Sequence, residues 1–296
     1  MANRLSFHDE IRKNKRNSFL LIGAILLVLL TLIYTIALVM DTDYFFIILI
    51  AGTIISIIYV TAGYYKSADL AIAASNAKPA KGEQYRQYHN LVEGLALASG
   101  LPKPKLYIMH NQQINAFASG RDPQHAVICV TDGALDKLTK HELEGVLAHE
   151  LSHIANYDIR FMTLTAVLVG MIAIISQIFL RSLFWSSMSG GRGSKDNSKT
   201  IFMIIGIVLA ILAPIVVALV QLAISRKREY AADSSAVKFM RTPTGLIGAL
   251  KKIQNNTPMK VSGAVSPLFL AKPTKEKEWF QTHPPLSKRI ARLERM

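Results

Sequence analysis

The sequence predicts about four transmembrane helices in two hairpins, combined with a soluble part of mixed helices and short strands. Three observations lead there: four long apolar runs, short β-type segments in the polar stretch between the second and third runs, and a helix in that stretch with its own start signal. The chain is 296 residues long and 51% hydrophobic, and the apolar excess is gathered into the runs rather than spread evenly, which marks membrane segments attached to a soluble part.

The first run covers Ser18–Met40 and the second Tyr44–Tyr65, both free of charged residues. At 1.5 Å per residue, a helix of about 20 residues crosses the roughly 30 Å of hydrocarbon in a bilayer. Arg12, Lys13, Lys15 and Arg16 precede the first run as they would in a signal peptide. Its apolar core is too long for one and no small-residue cleavage site follows, so it reads as an uncleaved anchor. Asp41-Thr42-Asp43 separates the runs without a Lys or Arg. Basic residues at the outer ends alone put this turn outside and the N-terminus in the cytoplasm.

Residues 66–160 read as soluble. Gln84–Ser99 has helical apolar spacing (Tyr88, Leu91, Val92, Leu95) and stops at Gly100 and Pro102. Lys105–Met109, Ile114–Ala118 and Ala126–Thr131 read as short strands. A helix then runs from Thr139 to about Asn156, opened by Thr139-Lys140-His141-Glu142, a capping box.

Phe161–Leu180 and Ile201–Ile224 form the third and fourth runs, joined by the Ser/Gly-rich linker Ser186–Ser198. Arg192 and Lys195, with Lys199 just beyond, are more basic than an outer loop favours, but Arg226-Lys227-Arg228 after the fourth run outweighs them. The chain ends in a basic amphipathic helix around Leu286–Leu293, introduced by Pro284-Pro285. Five segments follow: a cytoplasmic N-terminal segment (1–17), hairpin 1 (18–65), a first soluble part (66–160), hairpin 2 with its linker (161–224) and a second soluble part (225–296).

The formal charge of +14 does not signal nucleic-acid binding. Much of it flanks the apolar runs, where Lys and Arg meet anionic lipid headgroups, and no aromatic-interleaved basic platform accompanies it. Cys129 is the only cysteine, which excludes an intrachain disulfide and a thiolate metal cluster.

The chemistry is carried by His149-Glu150-Leu151-Ser152-His153. Residues four apart share a helix face, so both imidazoles reach one ion, and the intervening glutamate sits where it takes a proton from a water beside that ion. Catalytic zinc uses three protein ligands and keeps one position open. Glu229 is the candidate third ligand, with Asp233 one turn further on the same face, placed to orient a ligand imidazole. The alternative is a solvated carboxylate pair neutralising Arg226–Arg228. Two membrane-length runs separate His153 from Glu229, and a pair of crossings returns the chain to the side it left. By the same count the metal lies within roughly 10–15 Å of the membrane surface. His141, eight residues before His149, is turned about 80° off the ligand face and reads as a surface residue. His8, His89, His110 and His125 lack a ligand-spaced partner, and Gly52 with Ser56 reads as a helix-packing pair.

The sequence resembles the HtpX-type membrane zinc metallopeptidases, the family that includes the CAAX prenyl endoproteases, along nearly its whole length. The resemblance rests on His149–His153, Glu229-x-x-x-Asp233, Asn115-Ala116-Phe117-Ala118 and His283-Pro284-Pro285 in that setting of apolar runs. It implies a gluzincin-like α+β catalytic domain facing the cytosol from the bacterial inner membrane, one Zn2+ per subunit, and cleavage of unfolded or damaged membrane proteins in stress-linked quality control. It implies that Asn115, Ala116 and Phe117, in the segment Asn115–Ala118, form a cleft-edge strand pairing with substrate backbone; the residues alone read as an ordinary core strand with Phe117 buried, and the two readings are compatible. His283 is implied either to contact the oxyanion or substrate, or to position the turn before the last helix. Two other classes compete. A transporter would carry charges inside its apolar runs, and these have none; a zinc-bound scaffold or chaperone would have no need of Glu150.

Overall fold

The computed structural model describes residues 7–39, 42–164, 206, 226–255, 268–270 and 284–296. The expected linker Ser186–Ser198, nearly all of the third and fourth apolar runs, and His283 lie outside the described residues.

The first two runs form a helical hairpin. Helix α1 (Phe7–Val39) and helix α2 (Phe45–Tyr65) pack together across a 3-10 turn at Thr42–Tyr44. Both are long and apolar enough to cross a membrane, over Asn14–Tyr34 and Phe45–Tyr65. Their outward side chains are apolar, with Phe19, Leu20, Leu27, Phe46, Ile47 and Ile54 all exposed, as a lipid-facing surface requires. Gly52 brings the helices together: a Cβ there would lie 2.7 Å from a side-chain carbon of Ile33. Ser56 is buried, its hydroxyl returned to the Gly52 carbonyl. The small pair therefore serves packing inside the hairpin. The N-terminal segment before the first run is helical from Phe7 onward.

After a short helix α3 (Ser67–Ala74) comes a four-stranded mixed sheet. Its strands are β1 (Lys78–Pro79), β2 (Lys105–Met109), β3 (Ala116–Ser119) and β4 (Val127–Thr131), in the order β1-β2-β4-β3. The β2–β4 pair is parallel and the outer two pairs are antiparallel. Every residue of β3 and β4 is buried, so these strands read as continuous apolar runs rather than alternating ones. Strand β1 was not expected; two residues, one of them proline, carry no periodicity.

Helix α4 (Arg86–Ser99) closes on Gly100 in the left-handed conformation (φ 70°), the stop its sequence predicts. Helix α5 (Asp132–Lys137) leads to the central helix α6 (Lys140–Ala155), where both reciprocal bonds of the Thr139/Glu142 capping box form. Twelve of its sixteen residues are buried, Leu143 and Gly145–Ala155, because it is packed on several sides by α4, β3 and two later helices, α7 (Arg226–Met240) and α8 (Thr244–Gln254). The approach to α8 is very close. A Cβ on Gly145 would run into the Leu246 amide nitrogen, and one on Gly245 would crowd the His141 carbonyl. Helix α9 (Leu286–Leu293) packs on α7 and α8 and completes the layer.

Candidate metal centre

Helix α6 supplies His149, Glu150 and His153, all buried. The helical spacing sets the two imidazoles edge to face, ring centres 4.7 Å apart, with their Nε2 atoms 3.2 Å from each other. Helix α7 brings Glu229 to the same point: Oε2 is 3.6 Å from His149 Nε2 and Oε1 is 3.6 Å from His153 Nε2. One donor atom from each of the three residues lies within 4.8 Å of the others. Glu229 and Asp233 are buried, which rules out the solvated pair.

Each imidazole is fixed from behind. His149 Nδ1 lies 3.0 Å from Asp233 Oδ1, and His153 Nδ1 lies 3.1 Å from Asp158 Oδ2. An ionised carboxylate only accepts, so with a metal bound each Nδ1 would carry the proton and each Nε2 would offer its lone pair to the common point. Two ring nitrogens and a carboxylate oxygen converging in a dry pocket suit a cation among them. The spacing fits one: a tetrahedral zinc site with bonds of about 2.0–2.1 Å has ligand–ligand edges of about 3.3–3.4 Å. The residues therefore fit a metal.

The surrounding charges favour the same result. Burial and Arg289 push the His149 imidazolium down, yet Asp233 and Glu229 outweigh them and raise its pKa to about 9 in the metal-free chain. Burial opposes the charge of Asp233, but Arg289 and His149 hold its carboxyl below the ordinary range. Glu150 goes the other way; burial raises its pKa, only partly offset by the two histidines. A carboxylate with a raised pKa is a stronger proton acceptor, which suits a general base.

Three residues missed in the sequence complete the site. Arg289, from α9, is fully buried and grips Asp233 while its Nη1 lies 3.3 Å from Glu229 Oε2. It sits in a helix expected to present its basic face to water. Asp158 orients His153, and Arg228 Nε lies 3.5 Å from Asp158 Oδ1. The third, Asn14, reaches Asp158 from α1 at 2.9 Å. No local pattern marks any of them.

Of the histidines expected at the surface or without a ligand-spaced partner, the side chain of His8 lies outside the described residues, and the other four make bonds elsewhere. His141 is exposed and bonds Thr244; His110 and His125 pair with Asp132 and Asp122; His89 bonds the Ala80 carbonyl. Around β3, Asn115 and Ala116 are buried, and Phe117 packs edge-on against Phe269 at 5.0 Å, so the core-strand reading of Phe117 holds.

The model of "Peptidase family M48" matches residues 83–296. A "Protease HtpX homolog" of Thermoanaerobacter pseudethanolicus is 41% identical over 98% of both chains. Another, of Caldanaerobacter subterraneus subsp. tengcongensis, is 46% identical over 80% of this chain and 81% of its own. Among solved structures, that of S. mikatae Ste24p overlaps with a TM-score of 0.47 at 22% identity, over 95% of this chain and 65% of that one. The family match over residues 83–296 and the curated relatives at 41% and 46% identity, with a buried His-His-Glu cluster beside an apolar hairpin, place the chain in peptidase family M48, as a membrane metalloprotease of the HtpX type.

Proposed function

We propose that this metalloprotease is a zinc endopeptidase of the inner membrane that hydrolyses unfolded or damaged membrane proteins at the cytoplasmic face. The observation that carries the metal assignment is the convergence of His149 Nε2, His153 Nε2 and a Glu229 carboxylate oxygen on one buried point. Nitrogen and oxygen donors alone, three in number, match a catalytic zinc with one position left for substrate or water. Bound there, zinc would act as a Lewis acid on the scissile carbonyl and lower the pKa of a water towards about 7.

The protein's own groups do the rest. Glu150 takes a proton from the attacking water as the new C–O bond forms, then gives it to the amide nitrogen as the C–N bond breaks. Asp233 and Asp158 keep the ligand imidazoles in the productive tautomer. His283 either contacts the oxyanion or substrate or positions the turn before the last helix. Strand β3 is assigned to substrate backbone, since it ends the sheet order and packs on α6. Leu270 already donates to the Ala116 carbonyl at 3.0 Å, which leaves Ala118 as the next residue facing that way.

The topology proposed with this function has four membrane helices in two hairpins, the second over 161–224, and a gluzincin-like domain split between 66–160 and 225–296. Its support is that Glu229 and the histidines meet although two apolar runs separate them. The experiment is proteolysis of an unfolded protein by detergent-purified enzyme, wild type against Glu150→Gln. The variant is expected to keep its zinc and lose at least about 100-fold in rate. Equal cleavage by a zinc-loaded variant would remove Glu150 as the base.

A further inference from the structure

The turn after α6 is held from the first membrane helix. Asn14, on α1, is buried and uses both amide hydrogens on it: Nδ2 donates to the Asn156 carbonyl at 3.0 Å and to Asp158 Oδ1 at 2.9 Å. Its neighbour Lys15 places Nζ 4.2 Å from the centre of the Tyr157 ring. Three consecutive residues, Asn156, Tyr157 and Asp158, are therefore gripped by two consecutive residues of α1. The middle one needs it. Tyr157 has φ 59°, a left-handed conformation that is unfavourable for a residue with a Cβ. That reversal folds Asp158 back beneath His153, where its other oxygen meets the imidazole.

Asp158 thus turns Oδ2 toward His153 and Oδ1 toward Asn14 at 2.9 Å, with Arg228 Nε farther from that oxygen at 3.5 Å. A hydrogen bond to one oxygen fixes the plane of the carboxylate, and with it the direction offered to His153 Nδ1. We infer that Asn14 is a positioning residue for the metal centre: acting through Asp158, it sets the tautomer and orientation of the His153 imidazole and so couples the packing of the first membrane hairpin to metal affinity. This rests on the reading of His153 as a ligand. The chemistry selects an amide at position 14. A carboxylate there would face Asp158, and an aliphatic side chain would strip a donor from both a buried carboxylate and a helix-end carbonyl.

The test uses the full-length protein in detergent, with zinc affinity measured by chelator competition and the absorption of the Co2+-substituted protein as a second readout. Asn14→Leu is expected to weaken metal binding about tenfold or more, in the range typical of lost partners behind a metal-bound histidine, and to shift the cobalt spectrum. In an Asp158→Ala background the same substitution should change neither quantity further, because its route to His153 is gone. Leu20→Ala, on the exposed face of α1, serves as the control for disturbing the helix and should bind as wild type does. Unchanged affinity in Asn14→Leu, or equal losses in both backgrounds, would overturn the inference. If Asn14→Leu does not fold, Asn14→Ser carries the same readouts with the same outcomes. His153→Ala separates this from the site itself: metal retained there sinks the ligand assignment, whereas metal lost there but kept in Asn14→Leu sinks only the role of Asn14.

Discussion

Arg289 meets Asp233 in a two-pronged ion pair, Nη2 to Oδ1 at 2.7 Å and Nε to Oδ2 at 3.0 Å, with both side chains shut off from water. Such forked pairs combine charge with fixed geometry. Here the geometry is passed on, because the Oδ1 that Arg289 grips is also the oxygen facing His149 Nδ1. The guanidinium further neutralises part of a cluster of buried acids that includes Glu229 and Glu150.

Removing that cation should be costly. Breaking one side of a buried pair typically costs about 3–5 kcal/mol, so Arg289→Leu is expected to melt well below wild type. Adding zinc should recover part of the loss, since the metal supplies positive charge to Glu229. Arg289→Lys keeps the charge without the fork and should fall between the two. Equal melting temperatures for all three, without metal, would contradict this account.

Two glycines on neighbouring helices should respond with opposite signs. Gly145→Ala would drive a methyl into the backbone of Leu246, and overpacking of this kind costs about 1–3 kcal/mol. A Cβ at Gly94, in α4, would meet nothing within 4 Å, so Gly94→Ala should stabilise by up to about 1 kcal/mol through helix propensity. Denaturant midpoints of the two variants check both signs.

Metal uptake should release a proton. With its pKa raised to about 9 in the metal-free chain, His149 is charged at pH 7, and zinc must displace that proton. The stabilisation from this raised pKa is complete below the ordinary histidine value of about 6.5 and disappears as pH climbs through about 9. Zinc affinity should accordingly grow with pH across that window. Titration calorimetry in buffers of different ionisation enthalpy should show about one proton leaving at pH 7. A buffer-independent heat would refute it.

The single cysteine makes topology measurable. Cys129 is buried and burial pushes its thiol pKa up, so it is a poor nucleophile. Native protein should resist maleimide until unfolded. Ser187→Cys then reports only on the linker Ser186–Ser198, and a membrane-impermeant reagent should label it from the outer side of intact cells. Labelling that requires permeabilisation would refute the outer position proposed for that linker.

Local patterns made much of the catalytic domain legible. The capping box set the start of α6 at Thr139, and β2 spans Lys105–Met109 as its apolar run indicates. Glu229 was singled out by its spacing from Asp233 on one helix face, and the rule that two crossings cancel strengthened that choice. Helix α8 escaped because Gly245 and Gly248 lower helix propensity; Gly245 is there for close approach to α6. Arg289 and Asn14 escaped for a common reason. Each lies in a stretch rich in Lys and Arg, where composition predicts a wet surface, and only tertiary contacts with Asp233 and Asp158 reveal them as buried.

The residues of the proposed metal centre are spread along the chain: the candidate ligands His149 and His153 lie ahead of the third apolar run and Glu229 after the fourth, while Arg289, the ion-pair partner of Asp233, comes further still. A ribosome therefore delivers two imidazoles long before anything that completes them. Nascent chains arrested ahead of residue 226 should hold no zinc under conditions where the released chain does. On that reading the order of translation would act as a safety catch, leaving the protease blunt until Glu229 has been made.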